Sequence, residues 1–161
     1  MQSAWTCDDT PAPGQACSGS QCETGTPTLI ISTGTSTPTP PPSASNQVIH
    51  PNGQTSKCLA ATSNTNGAAV EIEDCSPGAA SQLWTVNGAN LQIYGNKCLD
   101  DANDNTTNGQ KMQIWTCYPG NANQEWVTSG GVIQLQDTSK CLDNTNGAIN
   151  DGNEVAYPDV L

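Results

Sequence analysis

The chain has 161 residues, a formal net charge of −11, no Phe and only four Lys and Arg in total. Phosphate backbones are bound by Lys and Arg, so this composition excludes a nucleic-acid partner. The abundant Gly, Asn, Thr and Ser disfavour long helices, and no stretch is apolar enough to span a membrane.

Residues 1–23 hold Cys7, Cys17 and Cys22 among Pro, Gly and acidic residues, with no periodicity. They read as an irregular, cysteine-containing remnant. Eight cysteines in so short a chain argue for disulfides and an oxidising, extracellular compartment. The opening MQSAWTCDDTPAPG nevertheless has neither the basic nor the apolar region of a secretory signal. The expectation is that the chain is the C-terminal portion of a longer secreted protein, or the product of an incompletely read gene. Residues 24–46 are rich in Thr, Ser and Pro. They read as an extended, disordered linker with hydroxyls suited to O-glycosylation; a short strand at LIIS is the weaker reading.

From residue 47 the chain repeats. Lys-Cys-Leu recurs at 57, 97 and 140, a second cysteine at Cys75 and Cys117, and Gln-x-Trp at 82 and 124. These spacings of 40 to 43 residues mark internal duplication, with units of about 47–88, 89–130 and 131–161. Apolar residues alternate within each unit: Val70 and Ile72, Leu91 and Ile93, Met112 and Ile114, Ile133 and Leu135. Period-two alternation predicts short, half-buried strands. The Asn-Gly pairs at 66 and 108 predict hairpin turns, because they accept positive φ. The fold class is therefore all-β, with roughly four strands per unit and a pseudo-threefold arrangement. Cys58 with Cys75, and Cys98 with Cys117, would each staple one unit, contributing roughly 3 kcal/mol apiece in the chain-entropy picture. A zinc site is disfavoured, since no C-x₂-C pattern is present and His50 is the only His.

Three units of about 42 residues carrying Cys-Leu-Asp and Gln-x-Trp resemble the ricin B-type lectin domain, also classed as carbohydrate-binding module family 13. The resemblance implies a β-trefoil over residues 47–161. It implies core positions for Trp84 and Trp126, and a Gln that bonds backbone. It also implies one shallow sugar site per unit: an Asp after Cys-Leu that accepts from sugar hydroxyls, an aromatic two residues before the second cysteine that stacks on the ring, a polar residue two before that, and an Asn ahead of Gln-x-Trp. The chemistry suits a pyranose, which offers one CH-rich face and one hydroxyl edge.

By that resemblance the middle unit is complete, with Asp100, Gln113, Trp115, Asn123 and Gln124. The first unit has Ala60, Glu71, Glu73 and Ser81 at the corresponding places and is expected not to bind. In the third, residues 141–160 align with 98–117 without a gap, so that Asp143 matches Asp100 but Ala156 falls on Gln113 and Pro158 on Trp115. No third Gln-x-Trp follows. The expectation is a truncated third unit, or a tail, AYPDVL, that has left the repeat pattern, with missing closing strands and marginal stability. Cys141 then needs a partner among Cys7, Cys17 and Cys22.

The acidic run from Asp100 to Gly109 invites a calcium loop, but Thr106 stands where such a loop requires Gly. Asn105-Thr106-Thr107 is an N-glycosylation sequon beside the proposed pocket. No catalytic set is recognisable, and no cofactor or metal is implied. The sequence thus points to a non-catalytic, secreted carbohydrate-binding module with one site in the middle unit, an appendage of a polysaccharide-degrading enzyme. The resemblance implies galactose, N-acetylgalactosamine or a xylan-type glycan as ligand. The competing readings are a protein-binding or inhibitor trefoil and a non-functional truncated module.

Overall fold

The computed structural model describes residues 44–129 and 131–158. Their strands are β1 (Ala44–Gln47), β2 (Lys57–Ala61), β3 (Ala68–Asp74), β4 (Trp84–Asn87), β5 (Asn90–Ile93), β6 (Lys97–Asp101), β7 (Met112–Thr116), β8 (Trp126–Ser129), β9 (Val132–Leu135), β10 (Asp143–Asn144) and β11 (Asn153–Ala156). Among the described residues the only helical segments are single 3₁₀ turns. The all-β expectation holds, and strand structure reaches into the Thr/Ser/Pro tract, because β1 takes its last residues into antiparallel pairing with β4. The expectations for residues 1–43 lie outside the described residues.

Each unit builds the same hairpin in the same register. Ala60 pairs with Glu71 in the first, Asp100 with Gln113 in the second and Asp143 with Ala156 in the third. The gapless alignment of the third unit is therefore the structural one. Alternation along β3 and β7 sends Val70, Ile72, Met112 and Ile114 inward to a single core with Leu59, Leu99, Leu142, Leu91, Ile93, Ile133 and Leu135. Trp84 and Trp126 are buried within it. Their indole N–H groups donate to the carbonyls of Leu59 (2.9 Å) and Leu99 (3.0 Å), satisfying a polar atom that burial would otherwise leave unpaired.

The hairpin tips join the units in a ring. The N–H of Gly67 donates to Ile114, that of Gly109 to Tyr157 and that of Gly152 to Ile72, all on backbone carbonyls. The lysine of each Lys-Cys-Leu reaches the tip of a neighbouring unit: Lys97 to Asn66, Lys140 to Asn108 and Lys57 to Asp151, each at 2.6 Å. The lysine belonged to the repeat in the sequence, but only the structure assigns it this inter-unit role.

Cys58–Cys75 and Cys98–Cys117 are disulfides. Cys141 is also disulfide-bonded, and its expected partners Cys7, Cys17 and Cys22 lie outside the described residues.

The third unit departs from expectation in one respect. It keeps its hairpin, and its tail stays in the repeat pattern one residue beyond Ala156. Tyr157 takes the place that Ile72 and Ile114 hold in the other units and is fully buried. Exchanging an isoleucine for tyrosine at a core position brings a hydroxyl inside. It lies next to Asp101, which is also fully buried. Neither Asp101 oxygen nor the Tyr157 hydroxyl makes a hydrogen bond of good geometry. Burial pushes the Asp101 carboxyl up to about 6, with the charges of Asp100 and Asp104 adding to the effect and Tyr157 opposing it.

Two outcomes follow for stability. Trp126→Phe, which loses the bond to Leu99 and leaves a cavity where the pyrrole part of the buried indole stood, is expected to lower unfolding free energy by about 2–4 kcal/mol in urea titration. Asp101 has a folded-state pKa above its unfolded value, so protonation favours the folded state. Its contribution is fully present below the unfolded carboxyl range near ~4 and is lost as pH rises through about 6. Comparing thermal melts from pH 4 to 8, Asp101→Asn should flatten that pH dependence and raise the melting temperature at pH 8.

Candidate functional site

The middle unit's candidate site is assembled by strand geometry. On β7, side chains alternate, so Gln113 and Trp115 share the outward face while Met112 and Ile114 face the core. Antiparallel pairing sets Asp100 of β6 directly opposite Gln113. The 3₁₀ turn Ala122–Gln124 then delivers Asn123 and Gln124 from the far side.

Asp100 is the centre of this arrangement. Only 5% of it is exposed, and each of its oxygens is held by an amide. Gln113 Nε2 donates to Oδ1 (2.7 Å) and Gln124 Nε2 to Oδ2 (2.8 Å). Burial pushes the carboxyl above its ordinary range, and the two amide bonds pull it back. Gln124 is wholly buried and does structural work as well. Its Nε2 also donates to the Thr116 carbonyl (3.1 Å), and its Oε1 accepts from the Tyr118 N–H (2.9 Å). Gln82 makes the equivalent bonds in the first unit, to the Asp74 carbonyl and from the Ser76 N–H, each at 2.8 Å. Trp115, in contrast to the two buried tryptophans, is 37% exposed. The result is a carboxylate with fixed orientation beside an open aromatic face.

Of the five residues singled out in the sequence, Asp100, Gln113 and Gln124 form one bonded group, and Trp115 flanks Gln113. Asn123 lies outside this bonded group and makes contacts of its own. Its backbone N–H is capped by Asn121 Oδ1 (3.2 Å), and its amide faces Asp104. In the orientation that satisfies both groups, its Nδ2 donates to Asp104 Oδ1 (3.2 Å) and its Oδ1 accepts from the Asp104 N–H (3.3 Å).

Two residues at the site escaped the sequence reading. Asp104 lay in a run of polar residues with no marker to separate it. Gly67 was visible only as half of a turn signal. It holds φ +83°, and a Cβ there would lie 3.8 Å from Trp115 Cζ3 and 3.9 Å from Gln113 Oε1. The tip of the first unit therefore walls the middle unit's pocket.

The other two units lack this group. In the first, Ala60 removes the acceptor and Glu71 takes the Gln113 place. Burial and then the charge of Glu73 push the Glu71 carboxyl up, a repulsive environment for an acceptor site. In the third, Asp143 pairs across the strands with Ala156, which stands where Gln113 does in the middle unit.

The acidic run does not form a loop around a common centre. Asp101 turns into the core while Asp104 turns to Asn123. Among the described residues, the group of ligand-type side chains close enough to share an ion is His50, Cys58 and Cys75, and its two sulfurs are joined to each other. His50 Nδ1 lies 2.7 Å from the Lys57 carbonyl. At the sequon, Asn105 Oδ1 accepts from the Thr107 hydroxyl (2.8 Å), and its Nδ2 donates to Gln110 (2.5 Å).

Comparison with known proteins agrees with this fold. The chain matches the family described as the ricin-type beta-trefoil lectin domain over residues 45–159. No curated protein matches it. Among solved structures it is similar to a designed threefold-symmetric protein, ThreeFoil, with 24% identity over 65% of this chain and 83% of that one, TM-score 0.54. It is similar to a non-toxic homologue of type II RIPs from Momordica charantia (bitter gourd), solved in complex with alpha-methyl-D-galactoside, with 21% identity over 65% of this chain and 39% of that one, TM-score 0.53. It is also similar to the C-half of the earthworm R-type lectin, solved in complex with GalNAc, with 18% identity over 65% of this chain and 82% of that one, TM-score 0.52. Identities this low carry the fold alone. Taken with the family match, the repeated registers and the buried Gln-x-Trp tryptophans, they show that the chain belongs to the ricin-type β-trefoil lectin family, a family of non-catalytic carbohydrate-binding domains.

Proposed function

We propose that the protein binds a galactose-type sugar at one pocket, that of the middle unit. The observation that carries this is Asp100, locked between Gln113 and Gln124 beside the exposed Trp115. A carboxylate already oriented by two amides loses little freedom when a sugar's vicinal hydroxyls donate to it. The indole face covers the CH-rich side of the ring. The galactoside and GalNAc bound in the bitter gourd and earthworm structures support this sugar class. A xylan-type glycan is the alternative ligand. One shallow site desolvates few atoms, so affinity should fall in roughly the millimolar to high micromolar range, with no avidity from the other two units.

The cysteine content supports an extracellular setting, and the Thr/Ser/Pro tract supports attachment to another domain, as in a secreted polysaccharide-degrading enzyme. In that setting Asn105 carries an N-linked glycan at the pocket's edge.

The test is retention on galactose-agarose and a glycan array, with circular dichroism as the folding control. Wild type should bind. Trp115→Ala and Asp100→Ala should each lose binding by about tenfold or more while remaining folded, since an unpaired group in such a site costs at least ~1.4 kcal/mol. Binding that survives both substitutions would refute the pocket assignment, and a folded wild type that binds no glycan would favour a protein-binding trefoil.

A further inference from the structure

The first unit's disulfide has a neighbour that the middle unit's lacks. His50 is half-buried, and its Nδ1 lies 2.7 Å from the Lys57 carbonyl, 3.6 Å from Cys75 Sγ and 3.8 Å from Cys58 Sγ. A carbonyl oxygen accepts and cannot donate, so the short contact to Lys57 places a proton on Nδ1. One N–H therefore serves a small region that holds the carbonyl and both sulfurs.

The scaffold does not require a histidine at this place. The Leu59 N–H donates to the Ile49 carbonyl and the Leu142 N–H to the Ile133 carbonyl, which makes Gln134 the counterpart of His50. Gln134 pairs with Cys141, and in the middle unit Gln92 pairs with Cys98. Glutamine thus stands opposite the first cysteine in two units, and the chain's single histidine in the other. In burial the two described disulfides are matched. Cys58 and Cys98 are fully buried, while Cys75 and Cys117 are partly exposed. Access to an attacking thiol is therefore alike at both bonds, and the imidazole is what sets one apart.

We propose that Cys58–Cys75 is a site of thiol–disulfide exchange with an external dithiol, and that His50 promotes it by donating to the leaving sulfur. A thiolate of the dithiol attacks the accessible Cys75 Sγ. The S–S bond breaks, and its electron pair goes to Cys58 Sγ. The Nδ1–H holds that thiolate until it takes up the proton that the dithiol released on ionising. The dithiol's second thiolate then displaces Cys75 from the mixed disulfide. The dithiol is oxidised to a disulfide, Cys58 and Cys75 are reduced to thiols, and two protons pass from the one to the other. Exchange is faster where the leaving thiolate is stabilised, and a neighbouring imidazole stabilises it. The reactive bond lies in the unit that lacks the Asp100 group, so the reading does not depend on sugar binding.

The test is timed reduction of the full, folded chain with dithiothreitol at neutral pH, quenched by iodoacetamide and read by peptide mass spectrometry. Cys58–Cys75 should open about tenfold faster than Cys98–Cys117, the effect of one hydrogen bond to a charged leaving group. His50→Gln installs the residue that the other two units carry. It should slow Cys58–Cys75 to within about threefold of Cys98–Cys117 and leave the latter's own rate unchanged. The second bond also reports on folding, because loss of the fold would speed both. His50→Ala is the second variant should His50→Gln unfold, with the same slowing expected. Equal rates for the two bonds in the wild-type chain overturn the inference. So does a faster Cys58–Cys75 that persists in a folded His50 variant.

Discussion

A unit of about forty residues and a few short strands cannot bury its own apolar face, and the whole structure depends on closing three such units around one core. The closure is visible in chemically equivalent bonds repeated around the ring. A glycine N–H at each hairpin tip donates to the carbonyl at a core position of a neighbouring unit, and a lysine from each Lys-Cys-Leu reaches a tip. Exposed ion pairs and lysine–amide bonds contribute little individually. Their value lies in register, because a one-residue slip would turn every core side chain outward. The buried tryptophans fill the space that this ring encloses, and each indole N–H is satisfied by the backbone of its own unit.

The proposed sugar pocket is a small elaboration of that scaffold. Gln82 and Gln124 make the same two backbone bonds, so Gln-x-Trp is structural in both units. Only in the middle unit does the same glutamine find an aspartate to hold. Where Ala60 replaces that aspartate, the scaffold persists and the acceptor is gone. A site made this way can be lost without unfolding the module, which explains how neighbouring units share a fold and differ in chemistry. The wall supplied by Gly67 further shows that the pocket is a property of two adjacent units, not of one repeat in isolation.

The third unit shows how far the core tolerates change. Tyr157 keeps the backbone bonds and burial of the isoleucines it replaces, at the expense of a hydroxyl placed against Asp101. Two buried polar groups without good partners are a source of instability. They lie immediately behind Asp100, so the packing of the tail and the electrostatics of the pocket are physically adjacent.

Much of this was legible in the chain itself. Repeated Cys-Leu-Asp and Gln-x-Trp, with alternating apolar pairs, pointed to the repeated all-β fold and the two disulfides, because strand periodicity and cysteine spacing are local properties that survive in one dimension, whereas the buried tryptophans and the grouping of Asp100, Gln113 and Gln124 followed from the family resemblance those motifs carry. Asp104, Gly67, the lysine ring and Tyr157 were not legible. Asp104 meets Asn123 across two turns, Gly67 meets Trp115 across two units, and Tyr157 sits at a core position that the failed matches on either side of it concealed. Each depends on which residues distant in sequence become neighbours, and only the closed threefold packing decides that.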